Sequence, residues 1–144
     1  MREIEFRGKR KDNGKWLYGN YVHCDKFINE HKEVKKPFRT IIPIVFIDEE
    51  VFGLELHDKD FDVIPETVGQ YTGSRDKNGH PIYEDDLISF GDGIYRIVFE
   101  DACFWISDVR DTGYTMELHT ILGQGEIEVI GNVHEVPELL EVKA

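Results

Sequence analysis

Cysteine, long apolar runs and catalytic signatures are what this chain has little of. Cys24 and Cys103 are its two cysteines, too few and too far apart for a disulfide framework or a zinc site, so both are expected as reduced thiols. No apolar run approaches the roughly 20 residues that a membrane helix needs, and Met1–Arg7 lacks the apolar core of a secretory signal. Gly-x-Ser-x-Gly, the P-loop, the dinucleotide glycine fingerprint and His-Glu-x-x-His are all missing. Six histidines, at 23, 31, 57, 80, 119 and 134, are scattered, and no pair has the i, i+4 spacing of a helical metal site. His80 follows a turn and is expected at the surface, and Cys103 has no basic neighbour in sequence to activate it and is expected as an inert buried thiol. No catalytic, cofactor-binding or metal-binding residue is therefore assigned, and the chain is not expected to be an enzyme. Positive charge is also short. Seventeen Lys and Arg face 29 Asp and Glu, a formal −12, so the field of the whole molecule repels nucleic-acid phosphate.

What is present is turn chemistry. Arg10-Lys11-Asp12-Asn13-Gly14-Lys15-Trp16-Leu17-Tyr18 aligns with Arg75-Asp76-Lys77-Asn78-Gly79-His80-Pro81-Ile82-Tyr83, so that Arg, Asn, Gly and Tyr recur 65 positions apart. Asn-Gly between short apolar runs predicts a two-residue type I′ hairpin, because both central residues need positive φ and the turn's twist matches that of the flanking strands. Two such signals point to a mainly β, antiparallel fold.

The rest of the pattern agrees. Ile4 and Phe6 alternate with Glu3, Glu5 and Arg7 as a half-buried strand would, and Trp16, Tyr18 and Tyr21-Val22 make the return strand. Cys24–Lys36 loses periodicity and reads as a mobile loop or a single helical turn, ended by Pro37. Thr40–Ile47 is the most apolar run, yet Pro43 removes a ladder donor and argues for an edge or a bulge. From Pro65 onward, strands are expected at Thr67–Gly73, Pro81–Tyr83, Asp86–Phe90, Ile94–Phe99, Cys103–Ile106 and Glu126–Val133, with a hairpin across Glu100-Asp101-Ala102. Short strands at spacings of about ten residues are the sequence signature of a small antiparallel barrel. Pro137 stands at a first helical position and predicts a short C-terminal helix or tail over 137–144. The organisation expected is an N-terminal β lobe over 1–64 and a barrel domain over 65–136, followed by that tail.

Between the lobes, Asp48–Asp62 is acidic, and His57-Asp58-Lys59-Asp60-Phe61-Asp62 invites a metal reading. It fails the calcium-loop test: counted from Asp58, the sixth position is Val63 in place of Gly and the twelfth is Gly69 in place of Glu. A solvated face is the better account.

Several blocks resemble the YopX family of phage and prophage proteins. They are Ile4–Lys9, Trp16–Gly19, Ile64–Gly73, the central hairpin and Ile127–Glu141, in the same order as in the family. The departure is Asp85, where the family pattern reads Tyr-Glu-Gly-Asp; if that glycine serves a positive-φ bulge, Asp85 must bear the strain. The resemblance implies a group of unassigned activity whose C-terminal half resembles an SH3-type small barrel. It carries no catalytic residues, and with the missing signal and membrane segments it implies the cytoplasm of a bacterial host.

Function is then expected to lie in contacts. Residues 1–15 hold six basic and three acidic side chains, a formal +3, which leaves −15 for the remainder. The uneven charge and the edge strands of an antiparallel fold suggest self-association alongside an unidentified host or phage protein. Arg7, Arg10, Lys11, Trp16, Tyr18 and Tyr83 form the candidate interaction surface, with Tyr18 and Tyr83 following the two related turns. Alternatives are a nucleic-acid-binding module using the basic turn and its aromatics, or an acidic mimic of nucleic acid that occupies a basic site on a host protein. The large aromatics Trp16, Tyr18, Tyr21, Tyr71, Tyr83, Tyr95, Phe104 and Trp105 either line a groove or pack the core.

Overall fold

Two compact units, residues 3–70 and residues 71–144, make up the chain in a computed structural model that describes residues 4–24, 27–28, 34–35, 38–43, 63–110, 113–123 and 126–141. The boundary between the units falls within one strand, a few residues after the division at residue 64 that the sequence suggested. In that strand, Gly69–Arg75, the first two residues pair with Arg7 and Phe6 of the N-terminal unit, and Tyr71 and Arg75 pair with Tyr83 and Pro81 of the C-terminal one. The acidic segment 48–62 lies outside the described residues.

In the N-terminal unit, β1 (Phe6–Lys9), β2 (Trp16–Cys24) and β5 (Phe38–Pro43) form an antiparallel sheet, and a two-residue ladder joins β3 (Phe27–Ile28) to β4 (Val34–Lys35). The helical turn entertained for 24–36 is thus replaced by strand pairing at its described residues. Six consecutive partners, from Gly19↔Pro43 to Cys24↔Phe38, hold β5 to β2, and β5 is the end strand of its sheet among the described residues. Pro43 is the last described residue of that strand, and an edge position suits its missing N–H. The inward alternation expected at Ile4 is not seen: the strand starts at Phe6, Ile4 is exposed and Arg7 is buried. A 3₁₀ turn at Pro65–Thr67 locks onto β1, since the Thr67 hydroxyl donates to the Ile64 carbonyl (2.7 Å) and accepts from the Lys9 N–H (2.8 Å).

The C-terminal unit begins with the remainder of β6 (Gly69–Arg75) and β7 (Pro81–Tyr83). A five-stranded antiparallel sheet follows, built from β8 (Asp86–Phe90), β9 (Gly93–Glu100), β10 (Cys103–Asp108), β11 (Thr115–Glu117) and β12 (Glu128–Asn132) in the order β11-β10-β9-β8-β12. Strict alternation along β10 sends Phe104, Ile106 and Asp108 inward. With Ile82, Ile88, Ile97, Leu118, Ile121 and Ile127, the first two make one apolar core capped by the single-turn helix α1 (Leu118–Ile121). The closed barrel expected here is an open sheet. Closure needs the first and last strands to bond to each other; β11 is three residues long and leads straight into α1, while β12 is bulged between Val129 and Gly131 and pairs with β8. Pro137–Glu141 forms the anticipated C-terminal turn as 3₁₀ helix.

Both Asn-Gly pairs lie in strand reversals, but neither is a type I′ turn, because Gly14 (φ 69°) and Gly79 (φ 82°) have positive φ whereas Asn13 and Asn78 do not. The first loop is closed by Arg10 N–H to Lys15 O (2.9 Å), the second by Asp76 N–H to His80 O (2.8 Å). These are four- and three-residue loops ending in a left-handed glycine. The mirror-image turn occurs where no Asn-Gly marks it: between Glu100 and Cys103, Asp101 (φ 50°) and Ala102 (φ 60°) both take positive φ.

Candidate functional site

The basic hairpin of the N-terminal unit is largely engaged with itself. Lys9 stands directly across from Trp16, and Arg7 occupies the same face two residues earlier. The indole therefore has the Arg7 guanidinium 4.6 Å and the Lys9 ammonium 5.4 Å from its ring centre, and Arg7 is 7% exposed. Arg10 is held by Asp12 (Nε to Oδ1, 2.9 Å), and that hydrogen bond keeps the Asp12 carboxyl below its usual pKa. Lys11 and Tyr18 remain exposed. Tyr83, in the other unit, is 3% exposed with its ring 5.5 Å from that of Tyr71. The two tyrosines after the related turns therefore have different fates: one is surface, the other core. Phe104 is also buried, and Trp105 is tied by its indole N–H to the Glu100 carbonyl (3.1 Å).

In the C-terminal unit, two aspartates organise the backbone. Asp76 is buried, and its Oδ1 accepts the N–H groups of Asn78 and His80 (both 2.9 Å) while Oδ2 accepts that of Val129 (3.0 Å), so one carboxylate stitches the β6–β7 loop to β12. Burial pushes this carboxyl up, but the three backbone donors outweigh it and hold the group below its usual pKa. Asp85 does sit at positive φ (71°). Its side chain is put to use: Oδ1 accepts from Arg96 (Nη2, 2.7 Å) and Oδ2 lies 3.3 Å from His134 Nε2.

An open pocket of about 330 Å³ is formed by β6, the start of β10 and α1, with Thr72, Ser74, Cys103, Phe104, His119 and Leu122 in its wall. At its rim, donor atoms of Cys103, Glu117 and His119 all lie within 4.8 Å of one another, and His119 Nδ1 is 3.1 Å from Glu117 Oε2. The antiparallel register explains this meeting. The ladder Ser107↔Thr115, Ile106↔Met116 and Trp105↔Glu117 ends at Glu117, Cys103 lies two residues before Trp105 on the same face of β10, and α1, which starts at Leu118, brings His119 beside them. Sequence reading missed the group because it assigned no element between Ile106 and Glu126.

The family model described as YopX protein matches residues 5–141. The chain belongs to the YopX family. Among solved structures, this YopX-family chain is similar to the crystal structure of protein EF1440 from Enterococcus faecalis, with a TM-score of 0.51 and 19% identity over 97% of this chain and 99% of that one. At that identity the likeness concerns the fold. No curated protein matches the chain. No described helix is long and apolar enough to cross a membrane.

Proposed function

We propose that this YopX-family protein is a phage- or prophage-encoded, non-enzymatic contact module of the bacterial cytoplasm whose partner is a second copy of itself, met edge to edge at β5. The observation that carries the reading is the position of β5: a six-residue strand at the end of its sheet, paired through β2 on one side among the described residues. Such an edge offers a row of backbone donors and acceptors to another strand. Its sequence, Phe-Arg-Thr-Ile-Ile-Pro, suits an antiparallel partner identical to itself. A two-fold axis between Thr40 and Ile41 sets Arg39 opposite Ile42 of the other copy and Phe38 opposite Pro43, with no like charges facing. The edges of the C-terminal sheet are poorer templates, one being three residues long and the other bulged.

The nucleic-acid reading draws less support, because Arg7 and Arg10 are occupied by Trp16 and Asp12 and the net charge opposes phosphate. Light scattering tests the proposal: the parent chain should show a mass of two or more copies that rises with concentration, and Ile41→Lys, a charge placed on the edge, should return it to one copy with an unchanged circular-dichroism spectrum. A parent that stays at one copy throughout, or an Ile41→Lys variant that associates like the parent, overturns it.

A further inference from the structure

We propose that Cys103, Glu117 and His119 form a binding site for a zinc-class divalent metal ion, with three protein ligands and a fourth coordination position turned toward the adjoining pocket. The donor set selects the ion. A thiolate and an imidazole suit zinc and its neighbours, whereas calcium and magnesium demand oxygen ligands throughout. Ligands at about 2 Å from a tetrahedral centre lie a little over 3 Å apart, and sulfur stands slightly farther out. The 3.1 Å between His119 Nδ1 and Glu117 Oε2 already matches that spacing, and the Cys103 sulfur, within 4.8 Å of a donor atom of each residue, needs a side-chain movement to join them.

Two further observations point the same way. The group is fixed by backbone and not by chance proximity of long side chains: Cys103 begins β10, Glu117 ends β11, and His119 lies in the first turn of α1, with β10 and β11 joined by three consecutive residue pairs. The second is the pocket itself, which contains Cys103 and His119 in its wall and adds the Thr72 and Ser74 positions across from them. An ion held by three ligands at the mouth of such a space keeps room for a water molecule or a small anion as its fourth ligand, the arrangement that distinguishes open zinc sites from closed structural ones. Binding converts the Cys103 thiol to thiolate, and the displaced proton passes to solvent. The site is separate from β5 and goes beyond the self-association reading, so either stands without the other.

The test uses the full-length, tag-free chain in a Cys24→Ser background, so that one thiol reports. Cobalt(II) added as the probe should bind one ion per chain and produce the thiolate-to-cobalt charge-transfer absorption. Zinc should displace it, and each zinc should release about one proton. Cys103→Ser should abolish the absorption, and His119→Ala and Glu117→Gln should each weaken zinc binding by about tenfold or more. His80→Ala, at an exposed histidine outside the group, should bind zinc like the parent. His119 is 71% exposed in its side chain, so its replacement leaves the core untouched and separates loss of a ligand from loss of folding. Absence of the charge-transfer absorption in the parent, or zinc affinity in Cys103→Ser and His119→Ala equal to the parent's, overturns the proposal.

Discussion

Asp76 shows how one side chain sets the geometry around it. A buried carboxylate that accepts three backbone N–H groups, one of them from a residue 53 positions away, does the work of a cross-link between the β6–β7 loop and β12. Hydrogen bonds to a charged group contribute about 1.5–3 kcal/mol, so Asp76→Asn, which keeps the shape but loses the charge and one acceptor, should destabilise the protein by about 2 kcal/mol in urea unfolding. The pH dependence follows from the sign of the shift. Because the folded protein holds this carboxyl below its usual value of 3.8, its contribution is fully present above that value and disappears as pH falls through the lower, folded-state value. The stability gap between parent and Asp76→Asn should therefore be constant near neutrality and shrink in strong acid; a gap that widens on acidification would contradict it. Nothing in the sequence announced this role. Asp76 stood inside a recognised turn motif, but its partner Val129 is distant, and local reading cannot see a bond spanning two hairpins. Asp85 was more legible. The resemblance set a glycine at that position, which would suit positive φ, and Asp85 adopts φ 71° with Arg96 and His134 as partners.

Hairpins are the elements that the sequence announced best and described least accurately. Asn13-Gly14 and Asn78-Gly79 do reverse the chain, since glycine accepts the left-handed conformation each loop ends on. Their lengths were misjudged because the flanking residues compete for the turn: Asp76 captures the amides of Asn78 and His80 and draws the reversal out to three residues. The true two-residue mirror turn at Asp101-Ala102 was expected as a reversal from the strands beside it, though its residues do not advertise its type. Ala102 pays for that in strain, at φ 60°. A left-handed alanine costs about 1–2 kcal/mol, so Ala102→Gly should stabilise the protein by about 1 kcal/mol after allowing for the added freedom of the unfolded chain, seen as a higher urea midpoint at unchanged slope. Other strands from residue 69 onward fell close to their expected places, as period-2 apolar patterns bounded by glycine allow. β11 and α1 went unread because three- and four-residue elements are too short to display a period, and with them went the Cys103–Glu117–His119 group.

For the molecule as a whole, the sequence conveyed class and family, and closure was the part it could not convey. Spacing alone cannot tell a barrel from an open sheet, because the difference lies in whether the end strands meet, and here α1 carries the chain away from β11 while a bulge turns β12. An open sheet keeps its edges, and β5 is the longest of the end strands described, in a chain whose formal charge of −12 works against close approach of two copies. The proposed self-association would then rest on backbone pairing at that edge, so hydrogen exchange at the amides of residues 38–42, followed in dilute and in concentrated solution, is the decisive observation. Pairing through β5 requires those amides that do not bond to β2 to exchange more slowly as concentration rises, while amides of the C-terminal sheet stay unchanged. Equal exchange at both concentrations across residues 38–42 would contradict it.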